Sequence, residues 1–139
     1  MKRREALSHI MTDHVMTVTP QDDLHEVVDL INAKKIRHVP VVENGHVVGM
    51  ISRTDINRLT FSSLFEGQEG ADEAILTMLS ISQVMTHKPR VIQENQTIRD
   101  VAEIFAEEEF HALPVVNEQG KITGIVTTTD LIKYMLSQY

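Results

Sequence analysis

The sequence predicts an α+β protein built from two copies of one β-α-β-β-α unit. Three observations predict it. The phrase GMISRTD, Gly49 to Asp55, returns as GIVTTTD, Gly124 to Asp130. Pro40-Val41-Val42 returns as Pro114-Val115-Val116, and Met11-Thr12 returns as Met85-Thr86. All three pairs keep the same order, and one extra residue near Gln119 holds the halves in register.

Each element follows from local chemistry. Each half opens on a short extended segment, Met16–Val18 and Arg90–Ile92. A helix comes next: Leu24, Val27, Val28 and Ile31 share one face, as do Ile98, Val101, Ala102 and Phe105. Thr19-Pro20 offers a capping hydroxyl and a first-turn proline, and Asp22 and Asp23 suit the positive end of the helix dipole. Two strands follow, Val39–Val42 and Val47–Ile51, around Glu43-Asn44-Gly45. The partner hairpin, Leu113–Val116 and Ile122–Val126, turns through Gln119-Gly120. A closing helix starts near Thr54 and again near Thr129. Thr60 to Ser82 reads as a structured connector: a loop with Gly67 and Gly70, then a helix from Ala71 to Leu79 with Ile75 and Leu79 on one face. Arg4 to His9 reads as another short helix. The halves span 8–62 and 83–139, with the connector at 63–82. One half is too small to bury both faces of its sheet, so the two are expected to pack together.

Composition narrows the function. Only 4% of residues are aromatic and none is Trp, so the core must come from Val, Ile, Leu and Met. The absence of cysteine excludes disulfides, thiol nucleophiles and cysteine-based zinc sites, and fits a reducing compartment. Lys2, Arg3 and Arg4 lead into no apolar stretch of a signal peptide, and no apolar run reaches the ~18 residues of a membrane span. A soluble, cytoplasmic protein without a membrane partner is expected. The net charge of −7 argues against a broad nucleic-acid surface, so an anionic ligand must be gripped locally.

With these residues in place, the repeat resembles a tandem pair of cystathionine-β-synthase (CBS) domains. The resemblance rests on the PVV strand, the Gly-apolar-apolar-hydroxyl-x-x-Asp phrase and the leading Met-Thr, duplicated in order over nearly the whole chain. It implies two repeats packed about a pseudo-twofold axis, with two clefts between them that take AMP, ADP, ATP or S-adenosylmethionine. It implies a flat homodimer and a free-standing, non-catalytic regulatory pair that acts on a protein the sequence does not name.

Carried over by position, the resemblance makes Asp55 and Asp130 the ribose-binding carboxylates, since a carboxylate accepts from both ribose hydroxyls. Ser52 and Thr127 match the phosphate-facing hydroxyls at a helix N-terminus, with Thr54 and Thr129 beside them. Arg37, His38 and His111 stand where cationic phosphate contacts are often placed. Thr12, Val15 and Met16, with Thr86, Pro89 and Arg90, match the entrance strands that line the adenine pocket and come from the opposite half. No cofactor is required. Magnesium could accompany a nucleotide's phosphates, whereas the seven His residues show no paired zinc spacing.

A plainer reading stands beside this one. Ser52-x-x-Asp55 and Thr127-x-x-Asp130 are also capping boxes with Asp in place of Glu or Gln. Arg37, His38, His111 and Arg53 could be ordinary surface or strand-start residues. The acidic run Glu107-Glu108-Glu109 reads as a solvated helix end that would repel phosphate near His111. Because Lys34, Lys35, Arg37, His38 and Arg53 all fall in the first half, the Asp55 copy suits a polyphosphate. The Asp130 copy suits fewer charges, unless Arg37 reaches across to it. An enzyme is not expected: there is no nucleophile-base-acid set and no G-x-x-x-x-G-K-[ST] loop. The competing function is a structural dimerisation module with degenerate clefts that works through a protein partner.

Overall fold

The computed structural model describes residues 4–59 and 69–139. Lys2, Arg3 and the expected loop at Gly67 lie outside the described residues. The protein is α+β, with two three-stranded sheets that belong to two compact units. The first unit is Met16–Lys88; the second joins Met1–Val15 to Pro89–Tyr139. The units and the sequence repeats therefore have different boundaries.

In the first unit, helix α1 (Leu24–Lys34) precedes strands β1 (His38–Glu43) and β2 (His46–Ser52). Helix α2 (Arg53–Leu59) follows directly, one residue earlier than Thr54. The expected Thr19-Pro20 start of α1 is corrected. The cap is Asp23, whose side chain accepts from Glu26 N–H at 3.0 Å, while Thr19 N–H donates to Asp22 at 2.8 Å within a preceding turn. Asp at this position outcompetes Thr because its carboxylate both accepts and favours the positive helix end. Asn44 and Gly45 have φ of 54° and 83°, the left-handed pair that a two-residue hairpin turn requires.

The connector holds more helix than expected. Helix α3 runs Glu69–Met78, so Gly70 is helical rather than in a loop, and Leu76, not Ile75, is its buried apolar residue. Ser80 and Gln83 form a capping box for a further short helix, α4 (Ile81–Val84). Ile81 and Leu76 enter a core with Leu24, Val27, Ile31, Val39, Val41 and Ile51. Strand β3 (Thr86–His87) then pairs antiparallel with β2, placing Thr86 opposite Met50. Of the extended segment Met16–Val18, Val18 makes the ladder contact, a parallel bridge to Val41.

The second unit repeats this order from different parts of the chain. Strand β4 (Ile92–Gln93) lies parallel to β5 (Ala112–Val116), which pairs antiparallel with β6 (Ile122–Thr127). Thr12 occupies the far edge through a bridge to Ile125. Ile92↔Val115 and Thr12↔Ile125 are thus the counterparts of Val18↔Val41 and Thr86↔Met50. Both hairpins carry a register shift at the second valine of the PVV strand. Helix α5 (Ile98–Glu107) is capped by a Thr97–Asp100 box, and helix α6 (Thr128–Ser137) closes the unit. The N-terminal segment has one 3-10 turn, Leu7–His9, rather than a helix from Arg4. Leu7 is fully buried with Ile92, Val101, Leu113, Val115 and Val126. No helix among the described residues is long and apolar enough to cross a membrane.

Candidate functional site

The two Gly-to-Asp phrases form one local structure twice. Each leaves a strand and enters a helix at its hydroxyl residue. In the first unit, Ser52 N–H donates to Asp55 Oδ2 at 2.8 Å and Asp55 N–H donates to Ser52 Oγ at 3.1 Å. In the second, Thr127 N–H donates to Asp130 Oδ2 at 2.9 Å and Asp130 N–H donates to Thr127 Oγ1 at 3.1 Å. These are reciprocal capping boxes, each bond satisfying a donor the helix start would otherwise leave unmade. A carboxylate that caps through one oxygen keeps acceptor capacity on the other. Both Asp residues are half-buried, so that capacity borders solvent.

The residues before the PVV strands lie against these helix starts. The Arg37 carbonyl accepts Arg53 N–H at 2.8 Å, and the His111 carbonyl accepts Thr128 N–H at 3.0 Å. The side chains of Arg37 and His111 are exposed, as are Thr54 and Thr129. His38 is half-buried and sits opposite Ser52 in the ladder, where the second unit has Ala112 opposite Thr127. The first unit therefore gathers Arg37, His38, Ser52, Arg53, Thr54 and Asp55, whereas the second gathers His111, Thr127, Thr129 and Asp130. The sequence pattern did not single out Arg58, whose guanidinium lies 3.7 Å from Asp55 Oδ1; its i,i+3 spacing from the aspartate was the available signal.

The entrance residues divide between the units. Thr86 and Met16 fall in the first; Thr12, Val15, Pro89 and Arg90 fall in the second. Thr12 exchanges both backbone hydrogen bonds with Ile125, at 2.8 and 2.9 Å, two residues before Thr127. Thr86 pairs with Met50, two residues before Ser52. Each threonine thus lies beside the hydroxyl-Asp phrase of the opposite repeat. Arg90 is engaged by Glu108 at 3.2 Å, so any ligand contact there must compete with that pair. Among the described residues no group of three or more His, Asp or Glu could hold a metal ion.

The glycines that open the phrases are required by close approach. A Cβ at Gly124 would stand 2.9 Å from the Thr12 carbonyl and 2.7 Å from Met11 Sδ. A Cβ at Gly49 would overlap the Met85 thioether, a flexible side chain. Backbone cannot yield as a thioether can. Gly124→Ala is accordingly expected to lower stability by about 1–3 kcal/mol and Gly49→Ala by less. Urea unfolding of both variants checks the order, and an equal or reversed cost would refute it.

The CBS-domain family model matches residues 7–61 and again residues 81–137. The chain belongs to the CBS-domain family. It is 30% identical over 131 residues to MJ1225 of Methanocaldococcus jannaschii, covering 94% of this chain and 47% of that protein. The chain therefore spans about half the length of that relative. The structure of MJ1225, described as a proposed archaeal homologue of g-AMPK, matches with a TM-score of 0.81 at 28% identity, over 97% of this chain and 49% of that one. The CBS-pair protein CBSX2 of Arabidopsis thaliana, solved in complex with AMP, gives 0.78 at 24% identity, over 96% of this chain and 98% of that one. The CBS domain pair of MJ0100, solved with 5-methylthioadenosine and S-adenosylmethionine, gives 0.77 at 21%, over 94% and 98%. At these identities the CBSX2 and MJ0100 likenesses speak for the fold alone.

Proposed function

We propose that this CBS protein is a non-catalytic regulatory module that binds an adenosine-containing ligand at its Asp55 and Asp130 phrases. The observation that carries the reading is the twice-built ring: a half-buried aspartate at a helix start, with a threonine strand of the opposite repeat laid beside it. In this reading Asp55 and Asp130 hold the ribose hydroxyls. Ser52 and Thr127, with Thr54 and Thr129, face phosphate at the helix N-termini. Arg37, His38 and His111 add cationic or donor groups, and magnesium accompanies the phosphates of ADP or ATP. Thr12, Val15, Met16, Thr86, Pro89 and Arg90 border the adenine. That AMP and S-adenosylmethionine occupy CBS neighbours supports the ligand class. The repeat bounds 8–62 and 83–139, the cytoplasmic setting and a homodimer belong to the same proposal.

The output would be a shift in conformation or assembly read by a regulated protein. A ligand moves such an equilibrium only by its differential affinity for the two states. The competing reading, a dimerisation module acting through a protein partner, is favoured by two observations. Both aspartates already serve as caps, and Ile132, Leu136 and Tyr139 expose an apolar stripe on and just beyond α6 at 56%, 67% and 98%. Thermal unfolding of ligand-stripped protein separates the two. A bound adenosyl ligand at a hundredfold excess over Kd adds about 2.7 kcal/mol of stability, visible as a melting point raised by several degrees. No rise with AMP, ADP, ATP or S-adenosylmethionine, in a protein that sediments as a dimer, would give the case to the dimerisation module.

A further inference from the structure

We infer that Met11 is a sulfur-oxidation site whose sulfoxide releases the N-terminal segment from the second sheet. The chain has no cysteine and no tryptophan, so its seven methionines are its readily oxidised side chains. Met11 and Met85 hold equivalent seats, each against the glycine that opens a capping phrase. Their surroundings differ. Met85 is 9% exposed, follows α4 as its cap and lies in the first core with Leu76 and Ile81. Met11 packs at the margin of the second core and stays partly exposed.

The seat of Met11 is shaped for a thioether. Its sulfur and the Thr12 carbonyl oxygen stand 2.7 and 2.9 Å from the point that a Cβ on Gly124 would occupy, so they fill the space the glycine leaves open. That carbonyl already accepts the Ile125 N–H at 2.9 Å. A sulfoxide oxygen placed there meets a second acceptor and an apolar cluster, and gives up its bonds to water without replacement. The oxidised side chain therefore turns outward. An isolated bridge, Thr12↔Ile125, ties this stretch to β6, whereas Thr86 and His87 both pair with β2 on the equivalent edge. Loss of the Met11 packing thus falls on the weaker of the two edges. It reaches the strand that leads into Thr127 and spares the one that leads into Ser52.

Hydrogen peroxide supplies the oxidant class. The Met11 sulfur lone pair attacks one peroxide oxygen, and the S–O bond forms as the O–O bond breaks. The proton on the transferred oxygen passes to the departing hydroxide, which leaves as water. Sulfur is oxidised by two electrons and the peroxide reduced by two. Enzymatic reduction of the sulfoxide restores the thioether, so the change is reversible.

The test treats the full chain and a Met11→Leu variant in parallel with hydrogen peroxide. Peptide mass spectrometry follows each methionine separately. Met16, Met78 and Met135, at 40%, 80% and 41% exposure, oxidise first and belong to neither core. Met11 is expected next, at least about tenfold faster than Met85. Hydrogen exchange should then show at least about tenfold less protection at the Thr12 and Ile125 amides, on the time course of Met11 sulfoxide. The Met50 and Thr86 amides should keep theirs. Met11→Leu retains the apolar volume and should prevent the loss, and methionine sulfoxide reductase should reverse it. Should the untreated variant melt well below the parent, the time course in the unaltered chain decides alone. Met85 oxidised as fast as Met11, Met11 sulfoxide formed with both amides still protected, or a loss shared by a well-folded Met11→Leu chain overturns the inference.

Discussion

Titrated with AMP, ADP, ATP and S-adenosylmethionine, the ligand-stripped protein binds at least one of them saturably. Asp55→Asn and Asp130→Asn each lose about ten- to a hundredfold in affinity at their own site. The magnitude follows from exchanging a carboxylate, which accepts from two ribose hydroxyls, for an amide that accepts on one side and donates on the other. Asn is the informative replacement because the native aspartate also serves the helix. Its Oδ2 accepts the Ser52 or Thr127 N–H at 2.8 or 2.9 Å, and the amide oxygen of Asn can take over that bond. Ala would remove ring and ligand contact together and cost about 1 kcal/mol of stability besides. The cationic cluster at the first helix start predicts that ATP is the ligand most weakened by Asp55→Asn. ATP affinity unchanged in Asp55→Asn and abolished in Asp130→Asn would reverse the order of the sites. Full affinity for every ligand in both variants would leave the two phrases as helix caps alone.

Leu7→Ala should be the most damaging single truncation in the first fifteen residues, at about 2–5 kcal/mol. Nothing in the motif marks this position. Yet Leu7 is fully buried, and its neighbours Ile92, Val101, Leu113, Val115 and Val126 all come from the other end of the chain. The backbone around it is tied the same way: Leu7 N–H donates to Gln96 O at 3.0 Å and Ile98 N–H donates to Glu5 O at 2.9 Å. Removing the side chain leaves a cavity that the surrounding β-branched residues cannot collapse to fill. Hydrogen exchange localises the effect. Protection should fall across β4, β5, β6 and α6, while α1, β1 and β2, whose core is Leu24, Val27, Val39, Val41 and Ile51, keep theirs. A loss under about 1 kcal/mol, or one spread evenly over both units, would show that the segment is not an anchor of the second unit.

Both hairpins, both closing helices and both capping rings were legible because each is written within a few neighbouring residues. Asn44-Gly45 specifies its turn through positive φ at both positions, and Ser52-x-x-Asp55 specifies its ring through hydrogen bonds three residues apart. The errors lay where two local signals compete or where burial decides. Thr19 and Asp23 are both good caps; the carboxylate of Asp23 favours the positive helix end, and Leu24, Val27 and Ile31 pack into the core from the turn that it closes. Gly70 reads as a loop residue, yet the backbone is helical from Glu69 to Met78, the span that sets Leu76 into the first core. The short helix Ile81–Val84 is not legible in the sequence although its Ser80–Gln83 box is, because four residues carry too little periodicity to signal a helix.

By itself, then, the sequence determined the duplication, the order of elements in each copy, and which hydroxyl and carboxylate close each helix start. These depend on contacts within one turn or one hairpin. Tertiary structure alone decided that the leading Met-Thr of each copy lies on the sheet of the other, that Leu7 anchors the second core, and that Glu5 and Tyr134 meet where the other copy has Leu79 and Leu59. The reason is physical. A strand edge or an apolar pocket accepts any segment of suitable pattern, and only the packed chain, with its loops closed and its apolar surface buried, selects which one arrives.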